Sequence, residues 1–317
     1  MNHSPFKRID MVAALCVVFI WGTNFVAMKL ALHDFTPFQL GAARYVLAVL
    51  PLILIVRPPR LHWKWVVLYG LIQGVGQFGL LFLALHVGMT AALASVLLQT
   101  QVFFTALLGF VLLRERIGKA LQVGLVLAAL GLGCFVMNYV TPGAGSSSAS
   151  SPLGFVLCLG AAAMWAASNI VVRRARQSTP DFDVVGFLVW SSAVPILPFI
   201  GLSLAFDAPS TRWHWTGASL ASWVSIAYLG WVATIFAYTM WTGLLTRHAV
   251  NRVAPFSLGV PIVGLAAGMI ALNEVVTAWQ WAGIALLVGA LLRVFLKPGA
   301  LSGLYRRVLK DREARQR

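Results

Sequence analysis

Ten long apolar runs divide this chain, and its basic residues fall almost entirely into alternate gaps between them. The runs cover Met11–Leu32, Phe38–Val56, Trp65–Leu85, Thr90–Leu113, Ala120–Val140, Leu153–Val172, Val184–Phe206, Leu220–Leu245, Val253–Leu272 and Ala278–Leu296. Each is long enough to cross about 30 Å of hydrocarbon as a helix, which takes about 20 residues. The expected fold is therefore an all-α membrane bundle of ten transmembrane helices. The N-terminus and the second, fourth, sixth and eighth gaps hold Lys7, Arg8, Arg57, Arg60, Lys64, Arg114, Arg116, Lys119, Arg173, Arg174, Arg176, Arg247 and Arg252. The C-terminal end adds Arg293, Lys297, Arg306, Arg307, Lys310, Arg312, Arg315 and Arg317, leaving only Lys29, Arg44 and Arg212 elsewhere. By the positive-inside rule both termini are cytoplasmic.

With 60% hydrophobic and 10% charged residues, no second soluble domain is expected beside the membrane unit. The formal net charge of +15 sits in short loops and a tail, without the contiguous basic face that phosphate tracking needs, so the partner is a lipid bilayer and not nucleic acid. Cys16, Cys134 and Cys158 lie within apolar runs at no metal-like spacing and are read as small core residues. The first run exceeds a signal-peptide core and carries Trp21, Asn24 and Lys29, so it is read as an uncleaved span. No Asp or Glu falls at mid-membrane, and the six histidines lie in loops or at span ends. Paired carboxylates, an activated nucleophile and a glycine-rich phosphate loop are all missing, which argues against an enzyme, a cofactor or direct ATP coupling.

The chain repeats itself. Trp21-Gly22-Thr23-Asn24-Phe25 is echoed by Trp165-Ala166-Ala167-Ser168-Asn169, and Lys29 by Arg173, at an offset of about 144. Phe38 with Phe182 and Pro51 with Pro195 keep that offset; it then becomes about 159, pairing Tyr69 with Tyr228, Glu115 with Glu274 and Gly124 with Gly283. Five spans match five spans, and because five is odd the second copy enters the membrane from the opposite side, as in inverted-repeat transporters. The expected halves are 11–140 and 153–296, joined by the Ser-rich stretch Gly143–Ser151 and followed by a basic cytoplasmic tail over 297–317. In that tail Leu301, Leu304, Tyr305, Val308 and Leu309 fall at helical spacing among basic residues, the pattern of a short amphipathic helix on an anionic leaflet.

These features, together with Arg44-Tyr45, the run from Gly88 to Ser95 leading into Gln99-Thr100-Gln101, the run from Arg252 to Leu258 with Pro261, and Asn273-Glu274, resemble the EamA-type members of the drug/metabolite transporter superfamily. The resemblance covers Met11 to about Leu296. It implies an inner-membrane, multi-pass exporter of small amino-acid-like metabolites, of the cysteine and O-acetylserine class, working by alternating access. An exporter of aromatic or cationic compounds keeps the same fold and is the alternative; a membrane enzyme or scaffold is a remote one.

Polar side chains inside spans usually face the bundle interior or a wet cavity. Trp21 and Asn24 share one helix face, as do Trp165 and Asn169, either lining a central cavity or packing and bridging helices. Gln73 and Gln77 lie one turn apart on the third span; on the fourth, Gln101 shares a face with Thr105 while Gln99 points toward the side of Ser95. Their amides suit a zwitterionic substrate, or serve as interhelical glue. Thr234, Tyr238, Trp241 and Thr242 form a stripe on the eighth span. Arg44 is the one basic residue well inside a span and either receives a substrate carboxylate or pairs within the protein, whereas Lys29 is expected to snorkel to the outer interface. Glu115 and Glu274 are expected to serve helix ends. The glycines of the spans pack helices within one bundle as readily as between copies, so they set no oligomeric state.

Overall fold

The computed structural model describes residues 7–50, 52–114, 117–140, 151–179, 182–248 and 253–295. Glu115, the Ser-rich linker before Ser151 and the basic tail lie outside the described residues. Among the described residues there is no strand, and nine helices are long and apolar enough to cross a membrane. They are α1 (Arg8–Ala31), α2 (Pro37–Ile55), α3 (Trp63–His86), α4 (Ala91–Leu112), α5 (Lys119–Val140), α6 (Pro152–Ser178), α7 (Val184–Phe206), α8 (Leu220–Leu244) and, after a shorter apolar α9 (Pro255–Ala271), α10 (Ala278–Phe295). The ninth expected run thus yields a helix shorter than the rest. It opens with a 3₁₀ turn over Ala254–Leu258, where Pro255 offers no backbone donor to lengthen an α-helix.

Side chains on the outside of the bundle are apolar: Leu54, Leu197 and Ile270 are 81%, 77% and 80% exposed. An apolar surface of this extent suits lipid, not water. Inside, α5 packs along α10, α1 along α9 and α8, α6 along α4 and α3, α2 along α7, and α4 against α9. This set of pairs is unchanged when α1–α5 are exchanged for α6–α10 in order.

Small residues make the close approaches, since lipid tails are as apolar as the side chains and association rests on backbone proximity and packing. A Cβ built on Gly283 of α10 would stand 2.6 Å from the Phe135 ring and 2.9 Å from the Gly131 carbonyl of α5. Gly74 of α3 lies under Pro195 of α7, and Gly230 of α8 under Leu47 and the Arg44 carbonyl of α2. These last two glycines sit in stretches wound as π-helix, Gly70–Phe78 and Tyr228–Phe236, each 9 residues long and occupying matching places in α3 and α8. Such widened turns are uncommon and concentrate at functional sites.

The end of the bundle that the charge pattern assigns to the exterior, called the outer end below, is tied by polar contacts. Glu274 accepts from the backbone N–H groups of Ala91 and Ala92 at 2.7 and 2.8 Å, capping α4. Lys29 turns inward where snorkelling was expected: its ammonium donates to the carbonyls of Leu85 (2.6 Å) and Met89 (3.1 Å). Asp34 accepts from the Ser219 backbone and from the hydroxyls of Ser219 and Ser222 at the start of α8. The Ser219 hydroxyl first, then His33 and the remaining donors, hold the Asp34 carboxyl well below the usual carboxylate range. Its tie is therefore present above the ordinary value of about 3.9 and is lost only as pH falls well below it. Thr36 donates to Asp207 at 2.7 Å, closing α2 onto the end of α7. At the opposite, inner end Asp10 of α1 contacts Arg247 (3.3 Å) and His248 (3.1 Å) after α8.

Because the α5–α10 seam depends on hydrogen-sized side chains, Gly283→Ala is expected to cost about 1–3 kcal/mol through overpacking. Gly289→Ala on the same helix, where a Cβ meets nothing within 4 Å, is the matched control. Thermal melting of the detergent-solubilised proteins checks this; equal midpoints for the two variants would refute the account of the seam.

Candidate functional site

A cavity of about 290 Å³ lies at the centre of the bundle. Its walls are Trp21 and Asn24 from α1, Arg44 from α2, Gln73 and Gln77 from α3, and Gln99 and Gln101 from α4, opposed by Trp165 and Asn169 from α6 and Tyr238 and Trp241 from α8. All eleven side chains singled out in the sequence thus reach one cavity. Tyr69, Phe78, Ser95 and Ser257 join them. Tyr69 carried a signal in its repeat pairing with Tyr228, but an aromatic on an apolar run reads equally well as packing.

Arg44 is the only charged side chain among those lining the cavity, and it is 3% exposed. One amino group donates to the Thr234 hydroxyl at 3.3 Å, and the guanidinium carbon stands 3.9 Å from the centre of the Phe78 ring. Thr234 can accept because its own proton goes to the Leu229 carbonyl at 2.8 Å, five residues back in the π-wound stretch. Among the described residues Arg44 Nε and Nη1 have no hydrogen-bond partner, and neither does Asn24 Oδ1. An arginine in hydrocarbon costs about 3 kcal/mol even on the mildest scale. One hydrogen bond from the guanidinium to a neutral hydroxyl returns about 1–2 kcal/mol, so the side chain retains unmet donor capacity.

The other amides bond to one another and to neighbouring hydroxyls and carbonyls. Gln73 donates to Gln77 Oε1 at 2.9 Å and accepts from the Ser168 hydroxyl of α6. Asn169 donates to Gln101 Oε1 at 3.0 Å and to Thr105 Oγ1 at 3.1 Å, joining α6 to α4. Gln99 turns the other way, toward the Ser257 carbonyl at 3.4 Å, on the same side as Ser95, whose hydroxyl reaches the Pro261 carbonyl. An aromatic wall completes the cavity: the Trp21 ring lies 5.1 Å from Tyr238 and 5.4 Å from Trp241, and its indole N–H donates to the Ala233 carbonyl at 3.1 Å.

Two smaller spaces adjoin. A mostly apolar pocket of about 90 Å³ between α2, α3, α7 and α8 shares Arg44, Tyr69 and Tyr238 with the cavity and includes Thr234 and Thr242. A vestibule of about 280 Å³ shares Gln101 and Asn169 and extends toward Ile117, Leu121, Arg173 and Val294 at the inner end. Of the cysteines Cys158 is buried, while Cys16, packed against Val17, Ile20, Ala233 and Ala237, and Cys134 are half-buried. Among the described residues no cluster of His, Cys, Asp or Glu is arranged to hold a metal.

A helical membrane bundle around a central, singly charged polar cavity has the build of a membrane transporter. The EamA-like transporter family matches residues 8–137 and 152–296, and the chain belongs to that family as a multi-pass membrane protein, of the inner membrane in bacteria. It is 38% identical to a Salmonella typhimurium protein named "Probable amino-acid metabolite efflux pump", over 90% of this chain and 94% of that one. An Escherichia coli protein of the same name is 37% identical over 91% and 96% of the two chains. A solved crystal structure shares the fold at a TM-score of 0.59 and 16% identity, over 90% of this chain and 95% of that one.

The orphaned Asn24 oxygen and the satisfied Gln101 amide make opposite predictions for stability. Asn24→Leu is expected to leave the melting midpoint unchanged or raised, because it removes a buried acceptor without a partner. Gln101→Leu strands donors on Asn169 and Thr105 and is expected to cost about 1 kcal/mol. A lower midpoint for the Asn24 variant than for the Gln101 variant would contradict this assignment.

Proposed function

We propose that this protein exports small zwitterionic metabolites of the cysteine and O-acetylserine class from the cytoplasm. The observation that carries the reading is the pair of unmet groups in the cavity wall: cationic donors on Arg44 and a neutral acceptor on Asn24. A substrate carboxylate satisfies Arg44 through charge-assisted, two-point hydrogen bonds. Its ammonium group takes the Asn24 oxygen and the faces of Trp21, Tyr238 and Trp241. The remaining amides accept or donate to a side-chain thiol or ester. Relatives named as amino-acid metabolite efflux pumps support the same cargo and direction. A purely cationic cargo is disfavoured, since it would meet the Arg44 charge in a low-dielectric site. An aromatic cargo that carries a carboxylate meets no such obstacle.

Transport by alternating access between two inverted five-helix halves, 11–140 and 153–296 with both termini cytoplasmic, is the mechanism this reading entails. It is supported by the exchange symmetry of the helix pairs and by the matching π-wound stretches of α3 and α8. The cavity adjoins a vestibule at the inner end while polar ties close the outer end, the arrangement of a state that loads from the cytoplasm.

Cells preloaded with labelled cysteine or O-acetylserine and overproducing the protein are expected to lose label faster than empty cells. Arg44→Ala should abolish the difference at equal membrane abundance, Asn24→Ala should reduce it, and Arg44→Lys, which keeps charge but not the two-point geometry, should restore part of it. Efflux no faster than in empty cells would overturn the reading.

A further inference from the structure

The pocket between α2, α3, α7 and α8 meets the central cavity at Arg44: that residue, Tyr69, Gln73, Phe78 and Tyr238 line both. At about 90 Å³ against about 290 Å³ it is under a third of the larger space, room for a side chain and not for a whole metabolite. Gly70 and Gly74 from one π-wound stretch and Thr234 and Ile235 from the other form two of its sides, and Leu52, Val185, Leu188 and Val189 add apolar surface. Ser191 also lines it, is 1% exposed, and has a hydroxyl with no hydrogen-bond partner among the described residues. The neighbouring hydroxyls are engaged: Ser192 donates to the Leu188 carbonyl at 2.7 Å and Thr234 to the Leu229 carbonyl at 2.8 Å. Ser191 is held instead through its backbone. Pro195, four residues on, has no N–H to give its carbonyl, so α7 tightens into a turn and that carbonyl takes the Val194 N–H at 3.3 Å. Gly70 packs on the same carbonyl so closely that a Cβ would stand 2.5 Å away.

We propose that this pocket is the subsite for the cargo's side chain, and that Ser191 sets its preference by donating to an acceptor on that chain, the carbonyl of a short O-acyl ester. The inference rests on the reading above that the cargo is a zwitterion with its carboxylate on Arg44. An α-amino acid carries carboxylate, ammonium and side chain on one carbon. With the carboxylate at the junction of the two spaces, the ammonium turns to Asn24 in the larger one and the side chain to the smaller. There the ester carbonyl accepts from Ser191, and the terminal methyl group meets the apolar wall. A thiol is a weak acceptor and leaves the serine hydroxyl unmet. A buried donor that one cargo satisfies and another strands discriminates more strongly than apolar fit does. No bond forms or breaks in this step; the cargo is only held.

Initial rates at which inside-out membrane vesicles accumulate labelled O-acetylserine and labelled cysteine, each measured against concentration, test this. The readout is the maximal rate over the half-saturating concentration for O-acetylserine, divided by the same quantity for cysteine. That quotient is expected to fall about five- to tenfold in Ser191→Ala and to stay near wild type in Ser191→Thr, which keeps the hydroxyl. Misfolding would lower transport of both cargoes together and leave the quotient where it was. A quotient for Ser191→Ala within about twofold of wild type, whether both cargoes are kept or both fall, would overturn the subsite and leave the central reading intact. Wild-type vesicles that carry cysteine but not O-acetylserine would do the same. Wild-type vesicles that accumulate neither would overturn both.

Discussion

Hydrocarbon offers no partner to a polar atom, so each polar group in a membrane bundle must be satisfied by the protein or by what the protein carries. In this chain the accounting closes almost everywhere within the spans. Glu274 takes two backbone N–H groups of α4, Lys29 two carbonyls, Trp21 one carbonyl, and the glutamines each other. Among the described residues of the spans it is left open at Trp65 and Ser191 and, in the wall of the central cavity, at Arg44 and Asn24. The two groups in the cavity wall are costly where they stand, and the zwitterionic cargo proposed above would relieve both at once. The arrangement follows the general trade of stability for function, in which a site keeps groups the fold itself would rather lose.

Backbone proximity is what places these side chains. The glycines of α3 and α8 bring the π-wound stretches under α7 and α2, and the wider winding puts Thr234 in reach of both the Leu229 carbonyl and Arg44. Gln73 and Gln77 ride on the other π-wound stretch, where Gln73 accepts from Ser168 across the bundle and donates to Gln77. The two halves of the site are thus held by the same local device used twice, with glutamines on one copy and a threonine on the other. The device is local, but its consequence is the relative position of groups on α2, α3, α6 and α8.

Helical spacing made much of this legible before any coordinates. Trp21 with Asn24, Trp165 with Asn169, and Gln101 with Thr105 share faces in the sequence, and in the fold each pair faces the same space. The opposite direction of Gln99, toward Ser257, also follows from one-residue spacing at about 100° per residue. What spacing could not supply is anything set by residues far apart in the chain. The carbonyls that hold Lys29 lie 56 and 60 residues away, so snorkelling was the natural expectation for a lysine near a helix end. The π winding is likewise invisible to periodicity, because an apolar repeat over so few turns does not distinguish an i→i+5 from an i→i+4 backbone bond. The shortened α9 could be suspected from Pro255, but its extent depends on how the preceding turn winds.

A duplicated architecture raises the question of what makes its two ends differ, since the exchange symmetry of the helix pairs treats them alike. The answer lies in side chains that the repeat has not kept equal. Trp21 and Trp165 are matched, yet the cation that follows each stands in different surroundings: Lys29 donates to two backbone carbonyls, and Arg173 is exposed at the inner vestibule. Asp34 and Asp207 tie loops at the outer end to α8 and α2, whereas the inner end relies on Asp10 with Arg247 and His248. Charged ties of this kind are individually weak when exposed and stronger when shielded. A small difference in their sum between the two ends is therefore enough to favour one of two otherwise equivalent packings. For the alternating access proposed above, direction would then be set by a handful of polar contacts at the helix ends, with the duplicated apolar core common to both states.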